Sequence, residues 1–191
     1  MKKFVIKNRK RLSAGFTLAE VLIALLIILM VTAIVVAGIP AAANALEKSV
    51  SASNAQVLLT TTVTKLRSEL GSAREVFAVG NGSAEDRICY IDENGVPSRI
   101  SSGKKEDDGT FTGIKLTRYK GADIGSDSDK LSEMDLLSDK AANENLFVDF
   151  RFAGYANGIV TLKDVRVHKK NQAEDVIASL ETLNIRVSQA D

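Results

Sequence analysis

The chain has 191 residues with 25 basic and 24 acidic side chains, one histidine, one cysteine and no tryptophan. That length and composition fit one modest globular domain plus additional segments, and the lone Cys89 excludes an intrachain disulfide. The near-neutral balance hides an asymmetry: residues 1–15 hold six basic residues and no acid, leaving 19 basic against 24 acidic in the remainder, which excludes a nucleic-acid binder by bulk charge.

Taken in chain order, the first element is a basic segment (Lys2, Lys3, Lys7, Arg9, Lys10, Arg11) that gives way at Gly15 to an apolar run. Val21 to Ile39 is broken in polarity only by Thr32 and Gly38. As a helix it spans about 28 Å, close to the hydrocarbon thickness of a bilayer. The basic cluster stays cytoplasmic and the C-terminal bulk faces outward. One ionisable residue, Glu20, sits at the start of this run.

Three readings compete. A secretory signal peptide is supported by Pro40 and by Ala43-x-Ala45 as a cleavage site, but the run is too long for a signal h-region. A plain single-pass anchor accepts the length and leaves Glu20 as a cost. The third reading cuts the chain between Gly15 and Phe16. Glu20 then lies four residues from a new α-amino group, one turn along the helix, and in a bundle it can neutralise the amine of a neighbouring copy. Of the three, only the last assigns Glu20 a role.

The stretch "GFTLAEVLIALLIIL", Gly15 to Leu29, resembles the N-terminal signal of type IV pilins and pseudopilins. The resemblance covers about residues 1–60. It implies cleavage by a prepilin peptidase after Gly15, N-methylation of Phe16, and a role for Glu20 in subunit assembly. The partners it implies are the peptidase, other pilins or pseudopilins, an inner-membrane assembly platform and membrane lipid.

Beyond Ile39, Pro40 either ends the helix or kinks it. The absence of further proline or glycine before Gly71 favours a kink in a longer helix. Leu59, Val63, Leu66 and Leu70 form an apolar stripe at helical spacing, with Gly71 as a C-cap. The hydroxyl-rich "SVSASNAQ" and "TTTVT" read as a solvated outer face.

After Gly71 the period changes to that of strands. "RICYIDENGVPSRIS" reads as a hairpin about Asn94-Gly95, and "TFTGIKLTRY" as a strand with a bulge at Gly113. "NLFVDFRFAGY" alternates with Leu146, Val148, Phe150 and Phe152 on one side. "GIVTLKDVRVHKK" follows an Asn157-Gly158 turn, and "SLETLNIRV" adds a last strand. Residues 103–109 and 120–145 read as loops, with a short helix near Leu131–Leu137. The expected fold is α+β: a long N-terminal helix, membrane half plus amphipathic half, packed on a small antiparallel β-sheet domain. Its segments are a cleaved leader at 1–15, a transmembrane or filament-core half at 16–39, an amphipathic half at 40–70 and a β-rich domain at 71–191.

Little in this domain carries chemistry. His168 reads as a surface histidine and Cys89 as buried and inert. No Gly-rich phosphate loop or HExxH is present. Asp123, Asp127 and Asp129 in "DIGSDSDK" offer oxygens for calcium, but without the EF-hand order. The main reading is a solvated acidic loop. The alternative is a calcium site, strengthened by the resemblance because some pseudopilins bind calcium in a C-terminal loop. The expectation is therefore a non-enzymatic subunit without a required cofactor. It is held in the cell membrane before assembly and then incorporated into a type IV pilus or a type II secretion-like pseudopilus, as a minor subunit. The alternative is a membrane-anchored or secreted ligand-binding domain.

Overall fold

The computed structural model describes residues 15–77, 86–121, 124, 127–137, 145–170 and 172–188. Helix α1 runs Leu18–Gly71 without a break at Pro40, so the proline does not end it. The chain divides into two compact units, residues 1–47 and 48–191.

In the first unit every described residue is exposed. Leucine and alanine favour helix, and the β-branched residues among them make the segment apolar all round. The polar atom inside the run is satisfied locally, since the Thr32 hydroxyl donates to the Ile28 carbonyl at 2.8 Å. α1 is long and apolar enough to cross a membrane.

In the second unit the remaining turns of α1 bury Ala55, Leu58, Thr62, Leu66 and Leu70. The expected stripe is thus rotated: Leu66 and Leu70 hold their places, while Leu59 and Val63 flank the core as partly buried side chains. A threonine occupies the centre of the stripe at 0 % exposure. Burial there is tolerated because its hydroxyl donates to the Leu58 carbonyl at 2.8 Å and is not left unsatisfied. Thr60, Thr61 and Thr64 use the same local bond on the outer side. Gly71 ends the helix, and its carbonyl accepts the Ser188 N–H at 3.0 Å. It is not among the left-handed glycines, so it is not an αL cap.

Ten strands follow among the described residues: β1 (Glu75–Phe77), β2 (Arg87–Ile91), β3 (Pro97–Ser101), β4 (Lys104–Lys105), β5 (Phe111–Thr112), β6 (Lys115–Tyr119), β7 (Lys130–Asp135), β8 (Leu146–Ala156), β9 (Ile159–Lys169) and β10 (Gln172–Arg186). They form a five-stranded sheet in the order β1-β2-β3-β6-β7, a three-stranded sheet β10-β9-β8 and the small hairpin β4-β5. All described pairings are antiparallel. The helix stripe and the inner faces of both larger sheets share one core, with Ile88, Ile100 and Leu116 from the first and Val148, Val165 and Leu183 from the second. The α+β architecture is as expected.

Both Asn-Gly turns form. Asn157 and Gly158 have φ of 52° and 74° and join β8 to β9. In the β2–β3 hairpin, Asp92 Oδ1 accepts the Asn94 and Val96 N–H groups at 2.9 Å each, and Gly95 takes φ 80°. Other expectations are corrected. "TFTGIKLTRY" does not bulge at Gly113 but breaks there, with β5 pairing in the small hairpin and β6 in the five-stranded sheet. The helix expected near Leu131–Leu137 is strand β7, which follows a 3-10 turn at Asp127–Asp129. Residues 103–109 contain β4, and β1 went unread.

Gly103 joins the sheets. A Cβ there would lie 2.1 Å from the Val148 carbonyl oxygen and 2.9 Å from that of Thr112, so only glycine fits. Beside it, the Phe150 N–H donates to Ser102 Oγ at 2.8 Å.

Candidate functional site

The residues singled out at the N-terminal junction form a connected structure. Gly15, Phe16 and Thr17 are non-helical and exposed, and α1 begins at Leu18. Phe16 is 85 % exposed, and among the described residues a Cβ at Gly15 would meet nothing within 4 Å. The Gly15–Phe16 peptide bond thus lies in accessible, irregular chain immediately before the helix, where a protease can bind the backbone without unwinding a turn.

The helix start has a specific chemistry. The Thr17 N–H donates to Glu20 Oε2 at 2.8 Å, and the Thr17 hydroxyl donates to the same oxygen at 2.9 Å. In return the Glu20 N–H donates to Thr17 Oγ1 at 3.3 Å. The Thr17 carbonyl accepts the Val21 N–H at 3.2 Å, the first bond of the helix. This is a capping box: Thr17 is the N-cap, Glu20 is its N3 partner, and two orphan amide donors are satisfied reciprocally. Its signature, Thr-x-x-Glu before an apolar run, stands in the sequence and was overlooked. The carboxylate also lies in the first turn of α1, where the helix dipole favours negative charge. Glu20 therefore has a role within its own chain that needs no cleavage, which corrects the inference that only processing explains it.

The family model described as "Prokaryotic N-terminal methylation motif" matches residues 10–36. The chain carries the type IV prepilin signal. This motif supports a pilin-like or pseudopilin-like precursor, and it implies processing by prepilin peptidase and assembly with other pilins. Together with the long apolar helix, the signal fits a single-pass membrane-anchored subunit. No curated protein and no solved structure matches the chain.

Elsewhere the sequence candidates separate. Asp123 and the side chain of Asp127 lie outside the described residues, and Asp129 closes the 3-10 turn with its carbonyl accepting the Lys120 N–H at 2.9 Å. Among the described residues, no three His, Cys, Asp or Glu side chains gather as a metal site. Cys89 is buried as expected. Burial pushes its thiol up to about 11, with Arg99 and Arg87 acting weakly in the opposite direction.

His168 is not the surface residue expected; it is 5 % exposed. Its ring stacks on Phe147 at 5.0 Å, and Phe147 in turn meets Phe111 at 4.8 Å. Nε2 lies 3.2 Å from Asp149 Oδ1, without the alignment of a hydrogen bond. Asp149 is held instead by Arg166, at 2.9 Å and 3.2 Å. The alternation in "RVHKK" placed His168 beside charges along the strand but could not show Phe147 of β8 stacking on it.

Proposed function

We propose that this chain is a structural, non-catalytic prepilin-like subunit. Prepilin peptidase cleaves it after Gly15 and N-methylates Phe16, and the mature chain enters a type IV pilus or pseudopilus as a minor subunit. The observation that carries this reading is the methylation motif spanning the basic-to-apolar junction at residues 10–36. The accessible Gly15–Phe16 bond supports it, because the cut leaves Thr17, and hence the helix cap, intact. Before assembly the apolar half of α1 resides in the membrane, with the strand-rich unit outside. In the filament, Glu20 keeps its own N-cap and also pairs with the Phe16 amine of a neighbour. A capping carboxylate has lone pairs to share with an ammonium, so the two roles are compatible.

Co-expression with a prepilin peptidase tests the proposal. The expected product is shortened by the fifteen-residue leader. A chain that stays full length beside an active peptidase sinks the proposal.

The capping box gives a specific reason to keep a second reading, a membrane-anchored ligand-binding domain, because it accounts for Glu20 in an uncleaved chain. The two readings differ in the fate of the leader.

A further inference from the structure

The outer face of the five-stranded sheet carries a cluster of cationic side chains. Directly opposed residues on neighbouring strands share a face. Arg87 opposes Ser101, Ser101 opposes Lys115, and Arg99 stands between Cys89 and Thr117 one step along. These rows face away from the core row of Ile88, Ile100 and Leu116. Hairpin β4-β5 adds Lys104 and β7 adds Lys130, closing a concavity of about 320 Å³. Five cationic side chains line it (Arg87, Arg99, Lys104, Lys115 and Lys130), against two carboxylates, Asp86 and Glu106.

The carboxylates are already engaged. Asp86 pairs with Arg87 at 3.2 Å, and Glu106 with Lys104 at 3.0 Å. Nearby, Glu133 takes both Lys115 and Lys130, at 2.8 Å and 3.1 Å. Arg99 has no carboxylate partner among the described residues. Its guanidinium lies over the Tyr119 ring at 5.3 Å, which fixes the plane of the fork. Its Nε is buried without a hydrogen-bond acceptor.

We propose that this concavity binds a phosphate group, with the Arg99 guanidinium as the principal donor and Lys104 and Lys115 completing the positive field. A planar, pre-oriented guanidinium matches two phosphate oxygens at once. A dianionic phosphate suits a lining in which cations outnumber carboxylates. The volume also leaves room for the group that carries the phosphate.

The test uses the full chain in neutral detergent, titrated by calorimetry with inorganic phosphate, with glycerol phosphate and with acetate. Phosphate or glycerol phosphate should bind saturably, with Kd of about 1 mM or tighter. Acetate should bind at least about tenfold more weakly, because it carries half the charge and fewer acceptors. Tighter binding of glycerol phosphate identifies a carried phosphate as the ligand, and equal binding identifies the free ion; both support the site. Arg99→Gln should weaken binding about tenfold. Lys104→Gln, at an exposed position that cannot compromise folding, should weaken it several-fold. Absence of saturable binding, or binding unchanged by both substitutions, overturns the proposal.

Discussion

Thr17 and Glu20 exchange hydrogen bonds at the head of α1, each side chain accepting the other's backbone N–H, at 2.8 Å and 3.3 Å. The cap and the proposed intermolecular pairing place different demands on Glu20, and substitution separates them. Glutamine serves in a capping box as glutamate does, but it carries no charge. Glu20→Ala should lose both functions, at a cost of about 1 kcal/mol to the helix start. Glu20→Gln should keep the amide-exchange protection of the first turn yet assemble as poorly as Glu20→Ala. Full assembly by Glu20→Gln shows that capping, not charge, is the requirement.

Among the described residues, a Cβ at Gly15 would meet nothing within 4 Å. Gly15→Leu should therefore leave folding and membrane insertion unchanged and act only on processing. Immunoblots should show the full-length chain accumulating at normal abundance in the membrane fraction. Normal cleavage of this variant contradicts the assignment of Gly15.

Gly103 presses its Cα against the Val148 carbonyl where the strand systems meet. A methyl group there collides with backbone, which cannot rotate away as a side chain can. Gly103→Ala should destabilise the strand-rich unit by about 3 kcal/mol, read as a lower urea midpoint of the full chain in detergent. An unchanged midpoint contradicts the close approach.

Burial raises the Cys89 thiol to about 11, above its ordinary value in the unfolded chain. The thiol then holds its proton in the folded state at pH values where the unfolded state has lost it. Its contribution to stability is intact below about pH 8 and declines as pH rises toward 11. Cys89→Ser should flatten that alkaline decline. At neutral pH a thiol reagent should label Cys89 only at the rate of unfolding, and immediate labelling contradicts its burial.

Local chemistry made parts of both units legible. The length of the apolar run and both Asn-Gly turns are signals carried by short stretches of sequence, and each appears where expected. The errors arose where distant segments decide the outcome. Thr62 can join the stripe on α1 because its hydroxyl is satisfied within the helix, which apolar periodicity does not register. Residues 130–135 became a strand because β6 offered an open edge, whereas their spacing alone also suits a helical turn. His168 is stacked on Phe147, which itself packs on Phe111, and both are far from it in sequence. At the candidate site the omission was different: Thr17 was legible through Thr-x-x-Glu, but attention to the charge on Glu20 hid its simpler partner three residues earlier.

The central claim is that this chain is a precursor whose working N-terminus is made by cleavage. Intact-mass and peptide mass spectrometry of the protein isolated from its own membranes tests this most directly. The account predicts a chain beginning at Phe16 with one added methyl on its amine. A retained leader, or a chain beginning at Leu46 after the Ala43-x-Ala45 site, contradicts it.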